Sequence, residues 1–281
     1  DFATNKMALG PSGMTLNISR QTTGTSTAIQ ATENAAVSET DSDDTLLTVN
    51  VRTIAGQQDI SRQAVERGTG IDSFIAQDLV RAWHTNLDNQ ILNGAGTSGT
   101  ILGLDASSEN AITYTSASPT VQLLYPKLAD AINQIQTNAF MNPTHWVMHP
   151  RRMAYLLAAV DGQNRPLLVP AASGAVNAMG GGAGAPQYGN SGYQLMGLPV
   201  IVDANVTTTD SSTRDKIYCI TAAENHLWEQ PGSPFSLRFD ATGAGNLTVK
   251  TVIYGYAAYS AGRYPLANSI IAGTGLAAPT F

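Results

Sequence analysis

His145 and His149 stand four residues apart, the spacing at which two imidazoles on one helix face could share a metal ion. The segment itself argues against that use. Pro143 and Pro150 bracket HWVMH, which reads as a strand. In a strand the two histidines lie about 13 Å apart, at roughly 3.3 Å per residue, too far to share an ion. No H-E-x-x-H, G-x-S-x-G or G-x-x-x-x-G-K-[ST] pattern occurs, so zinc-protease, hydrolase and phosphate-loop chemistry have no motif to rest on. Cys219 is the only cysteine, so an intrachain disulfide is excluded. It sits in the alternating run KIYCIT, which predicts a buried, inert thiol. Glu66, Asp72, Asp78 and Asp88 are scattered on or beside one long helix, with no spacing suited to paired acid–base work. No catalytic residue, metal or cofactor is expected.

The remaining pattern with chemical content is a separation of charge. Glu33, Glu39, Asp41, Asp43 and Asp44 cluster with no basic residue among them. Arg62, Arg67, Arg81, Arg151 and Arg152 lie elsewhere in the chain. One reading is a solvated acidic loop. The other is ion pairing between subunits, the acids of one copy meeting these arginines of the next.

Composition favours a chain that covers itself with neighbours. Charged residues are 13% of the 281, against the usual quarter or so, while hydrophobic residues are 43%. A monomeric surface normally carries more charge for solubility. The net charge of -6 argues against sequence-reading nucleic-acid binding, which needs basic stripes. No run approaches the roughly 18 apolar residues of a transmembrane helix, and no stretch reads as a signal peptide, so no membrane partner is expected.

Several elements must position these residues. Ile71, Ile75, Leu79, Trp83, Leu87 and Ile91 recur every four residues, with Phe74 and Ala82 at the three-residue offsets. This predicts one long amphipathic helix over 70–93, a spine of roughly 35 Å at 1.5 Å per residue. Thr69 is placed to cap its start, and Asn93-Gly94 to end it. Before the spine, residues 1–14 read as an extended arm and 15–20 as a short strand. Residues 21–59 read as a long β-hairpin with the acids at its end and a return limb over 45–54. Helical patterns follow over 120–138 and 151–160. Pro126 either kinks the first of these or marks its true first turn, and Pro150 opens the second. Strands are predicted at 144–148, 198–202, 216–221, 226–229, 235–239, 247–259 and 268–272. Residues 171–192 are Gly- and Ala-rich loop. The class is α+β.

The order of these pieces resembles a tailed-bacteriophage major capsid protein of the Hong Kong 97-like fold, over nearly the whole chain. Four segments carry the likeness: ISRQAVERGTGIDSFIAQDLVRAWHTNLDNQILNGAGTSGTILGL (60–104), THWVMHPRRMAYLLAAVDGQNRPLL (144–168), LMGLPVIVD (195–203) and YSAGRYPLANSIIAGTG (259–275). The resemblance implies an N-terminal arm over 1–20 and an extended loop over 21–59. It implies a peripheral domain over 60–140, an axial domain over 141–245 and a return to the peripheral domain over 246–281. It further implies hexamers and pentamers that assemble in the host cytoplasm and close into an icosahedral virion shell around double-stranded DNA, which is held by non-specific proximity. Portal, scaffold or protease and a cement or decoration protein are the implied partners during assembly. Asp1 fits family members whose N-terminal scaffolding segment is removed. Some members join subunits covalently through a lysine of the extended loop and a catalytic glutamate. Here residues 21–59 hold no lysine, and 251–259 hold no acid. No covalent crosslink is therefore expected, and the protein is expected not to be an enzyme. An encapsulin-type cellular compartment is the alternative within the same fold.

Overall fold

The computed structural model describes residues 4–160 and 193–279, apart from 35, 38, 69, 212, 244 and 246. Strand β1 is Asn5–Ala8, β2 Thr15–Thr23, β3 Asp43–Asn50 and β4 Arg52–Ser61. Helices α1 (Arg62–Arg67), α2 (Ile71–Asn93) and α3 (Leu104–Ser107) follow, then β5 (Asn110–Thr113) and α4 (Val121–Asn138). Next come β6 (His145–Met148), α5 (Pro150–Ala158), β7 (Gln194–Leu195), β8 (Leu198–Val202), β9 (Ile217–Ile220) and β10 (His226–Glu229). Strands β11 (Ser236–Gly243), β12 (Thr248–Ser260) and β13 (Ser269–Ala272) complete the chain. The expected α+β class and most element positions hold. The suggested Thr69 cap and the Gly-rich 171–192 loop lie outside the described residues.

Two sheets organise the fold. In the five-stranded sheet the long β12 pairs antiparallel with β4, β10 and β11, and β1 joins parallel to β10. The second sheet has six strands in the order β5-β13-β9-β6-β8-β7. Its alternation shows why its strands are apolar throughout. Trp146, Met148, Ile217, Cys219 and Ile271 face one buried cluster with Leu124, Leu128, Ala131 and Ile135 of α4. Their neighbours Val147, Tyr218, Ile220 and Ile270 face the other, shared with the spine helix α2. Successive strand residues point to opposite faces, so a sheet covered on both sides reads as continuous hydrophobic sequence.

The spine buries Ile75, Leu79, Trp83, Leu87, Ile91 and Leu92. Phe74, expected on the apolar face, is 67% exposed, and Ala82 is exposed as well. The buried stripe is a single row because a four-residue step overshoots one turn by about 40°, and the row drifts around the axis instead of widening. Trp83 fixes the helix on the five-stranded sheet by donating its indole N–H to the Ile54 carbonyl at 3.3 Å. A side chain at Gly255 of β12 would bring its Cβ to 2.9 Å from the Trp83 ring, so glycine permits this approach. The spine starts at Ile71, with Gly70 as its N-cap and no side-chain cap bond, and ends at Asn93.

Helix α4 begins at Val121, where the Thr120 hydroxyl accepts from the Leu123 N–H at 3.3 Å. Pro126 therefore lies inside the helix, not in its first turn, and leaves the Gln122 carbonyl without its usual donor. A buried polar knot ties the two sheets. Asn225 and Asn268 exchange side-chain amide hydrogen bonds at 3.1 Å each, and the Tyr259 hydroxyl donates to Asn225 at 3.0 Å.

Two boundaries depart from the sequence reading. The hairpin pairs β2 with β3, from Thr15 opposite Asn50 to Thr23 opposite Asp43. It thus spans 15–50, not 21–59. The segment read as a separate short strand is its outgoing limb, and β4 leaves it to pair with β12. Packing also cuts across the contiguous ranges expected for the domains. Strand β5, from within 60–140, and β13, from within 246–281, both join the six-stranded sheet. Long-range pairing, invisible to local pattern, decides this membership.

Candidate self-association surface

The hairpin has almost no core of its own. Only its base is covered: Val49 and Val51 are buried with Leu9, Trp228 and Ala258, and Leu16, Ile18 and Leu47 pack against them. Further out the strands are held by backbone pairing and exposed polar bonds, such as Ser19 Oγ donating to Asp44 Oδ2 at 2.8 Å. A side link to the body, Arg20 to Glu109, is 4.0 Å long and exposed. At the tip Ile29 is 97% exposed and Val37 83%.

The five acids all lie exposed on this hairpin. Among the described residues, no ion pair involves Glu33, Glu39, Asp41, Asp43 or Asp44. The arginines divide. Arg62 is exposed and pairs within its own helix with Glu66 at 2.8 Å. Arg67 and Arg81 are exposed, with no ion pair among the described residues.

Arg151 and Arg152 differ from the other arginines in finding a buried partner within the subunit. They open α5, whose N-terminus is capped by the His149 ring accepting from the Arg151 N–H at 3.1 Å. Both guanidinium groups converge on Asp215, which is fully buried. Arg152 is 2% exposed, donates to Asp215 Oδ2 at 3.0 Å and to the Ala277 carbonyl at 2.7 Å. Burial lowers the Arg152 pKa and the adjacent Asp215 charge opposes that shift. Arg151 also donates to the Thr208 and Thr213 carbonyls at 3.2 and 2.9 Å. These two arginines hold the subunit together. Adjacent arginines at a helix start look like surface charge, and only the fold brings Asp215 to them. Lys216 behaves likewise, donating to both Asp105 carboxylate oxygens at 2.8 and 2.9 Å.

The sequence reading missed the exposed apolar groups. Phe140 is 92% exposed and holds a left-handed backbone at φ 54°. An aromatic in that conformation costs roughly 1–3 kcal/mol, and among the described residues no burial offsets it. Tyr125, Leu123 and Leu46 are also more than half exposed. The available signal was an aromatic inside the turn NAFMNP, where polar residues are the rule. His145 lies in β6 and His149 caps α5, so the two do not share one helix face. Cys219 is buried, and burial raises its thiol pKa far above the ordinary value.

An exposed hairpin, unpaired acids and uncovered apolar side chains on a well-packed body describe a subunit whose surface is completed by other chains. Comparison with known proteins agrees. The phage capsid family model matches residues 3–231. No curated protein matches the sequence. Among solved structures, the capsid of a native GTA particle computed with C5 symmetry superposes with a TM-score of 0.72 at 14% identity, covering 97% of this chain and 88% of that one. A chain of Mycobacterium phage Adephagia gives 0.70 at 11% identity, covering 97% and 88%. A chain of Gordonia phage Cozz gives 0.67 at 14%, covering 97% and 85%. These likenesses extend the shared fold past residue 231, where the family match ends, and they do not favour the encapsulin alternative. The chain belongs to the phage capsid family and is a major capsid shell protein.

Proposed function

We propose that this chain is the major capsid protein of a tailed phage, closing as hexamers and pentamers into an icosahedral shell around double-stranded DNA, without covalent crosslinks and without enzymatic activity. The exposed 15–50 hairpin carries the reading: its tip leaves Ile29 and Val37 exposed and its acids without ion pairs among the described residues. In this reading the hairpin reaches across a neighbouring copy, and exposed Arg62, Arg67 and Arg81 receive some of its acids. Exposed pairs contribute only about 0–1 kcal/mol each, so the apolar tip and backbone must supply most of the contact. The five-stranded sheet with the spine corresponds to the peripheral part, and the six-stranded sheet with α4 and α5 to the axial part. A net charge of -6 gives no attraction to DNA, so the genome is enclosed by proximity alone. Scaffold or protease, portal and a cement protein are the partners this role requires or permits.

The lack of crosslinking follows from residue types. Residues 21–59 offer no amine, and 251–259 offer no carboxylate to take its proton. Two measurements test the proposal on one purified sample. Negative-stain microscopy is expected to show closed shells, and a denaturing gel a single band near 29.5 kDa. A stable monomer at micromolar concentration defeats the shell assignment. A detergent-resistant ladder of higher species defeats the noncovalent one.

A further inference from the structure

A cavity of about 300 Å³ opens where the hairpin base meets the five-stranded sheet, lined by Met7, Ile18, Ser19, His226, Trp228 and Arg263. It lies in the size range of sites that accept a small ligand or a single side chain. Met7, Ile18 and Trp228 form its apolar walls. Ser19 spends its hydroxyl on Asp44, but the buried His226 ring in it is unsatisfied. His226 is 4% exposed, yet neither ring nitrogen has a hydrogen-bond partner. The nearest acid, Glu224, is 3.9 Å away, beyond hydrogen-bond reach. A buried donor left unmade is costly, so such a group points to a missing partner. Arg263 is exposed at the cavity, and its guanidinium lies 5.5 Å from the Tyr264 ring centroid with no ion pair among the described residues. The site therefore presents two N–H donors, one of them permanently cationic, above an apolar wall. Its complement is a carboxylate next to an apolar side chain.

The hairpin tip carries that combination. Glu33, Glu39 and Asp41 are exposed, without ion pairs among the described residues, and flank the exposed Ile29 and Val37. Resting on the shell reading above, we propose that this cavity receives a carboxylate of the hairpin tip, Glu33, Glu39 or Asp41, from a second copy of the chain, held by Arg263 and His226 with Val37 or Ile29 against Trp228. The contact closes the open base of one hairpin with the tip of the next.

The test uses assembled shells of an Arg263→Lys variant treated with a water-soluble carbodiimide, which joins an amine to a carboxylate in direct contact. Peptide mapping is expected to find position 263 linked to Glu33, Glu39 or Asp41, with the product running as a dimer or larger on a denaturing gel. Shells that form but link position 263 to no tip acid, or only to acids of the same copy, overturn the site and leave the shell reading intact. An unmodified chain that forms no shells fails the shell reading instead. A second arm uses Arg263→Glu, which is expected to lower shell yield at equal protein by at least about tenfold, as for losing one side of a desolvated charge pair. Lysine at Glu33, Glu39 and Asp41 of the same chain is expected to restore assembly. Unchanged yield with Arg263→Glu alone overturns the proposal.

Discussion

Asp215 and Asp44 belong to the same chain and meet opposite conditions. Asp215 is fully buried between two arginines of α5, both of its own subunit. Asp44 sits on an exposed strand, where a serine hydroxyl across the hairpin is its hydrogen-bond donor at 2.8 Å. The six-stranded sheet and the hairpin differ in the same way throughout. One is covered on both faces and closes its charges internally. The other has little core and leaves acids and aliphatic side chains open. The lesson is a division of labour: charge satisfied inside builds the subunit, and charge left unsatisfied is available to a neighbour.

The largest expected effect falls on the closed region. Asp215→Ala strands Arg152 in the interior and is expected to destabilise the dissociated subunit by about 3–5 kcal/mol in denaturant unfolding. A loss below about 1 kcal/mol would mean that water reaches this pair, and the contrast with the hairpin would break down.

Phe140 probes the open surface from the opposite side. Phe140→Gly removes backbone strain and no buried contact. The dissociated subunit is expected to gain about 1 kcal/mol in thermal or denaturant unfolding. Shell assembly is expected to weaken. Equal or lower subunit stability would show that Phe140 serves its own chain.

A smaller effect is expected at the junction of the two regions. Burial lowers the His226 pKa first; nearby Glu224 opposes that shift and Arg263 adds to it. Its folded value thus lies below the unfolded value near 6.5. Between the two the unfolded chain holds more protons, so stability rises with pH there. The contribution of neutral His226 is complete above about pH 6.5 and is lost as pH falls through the folded pKa. His226→Leu is expected to flatten that part of the stability–pH curve, read by unfolding of the dissociated subunit. An unaltered curve would assign the acid sensitivity to His145 or His149, which burial also lowers.

The smallest effect on the subunit is expected at the tip. Glu33→Gln, Glu39→Gln and Asp41→Asn together are expected to change its unfolding free energy by less than about 0.5 kcal/mol per site. The same variant is expected to assemble more slowly and with weaker salt dependence, measured by light scattering across ionic strength. Stability loss with intact assembly would reverse the comparison between hairpin and sheet.

Much of this architecture was legible in the amino-acid order. The four-residue recurrence of Ile75, Leu79, Trp83, Leu87 and Ile91 could bury only as a helix. The alternation in β12 reads as strand because side-chain period is a local property of the backbone, and the short apolar runs of β8 and β9 read as strands covered on both faces. Pro150 fixed a helix start, and residue types alone left the hairpin without a lysine. Other features depended on residues far apart in sequence. Strand β4 left the hairpin because β12, almost two hundred residues later, offered it a ladder from Arg52 to Ser61. Arg151 and Arg152 turned inward because Asp215 lay beneath them. Phe74 faced outward because the four-residue row rotates as it climbs. Local sequence sets which conformation each segment prefers. Which segments meet, and so which charges are closed and which stay open, follows from long-range packing that no window of neighbouring residues contains.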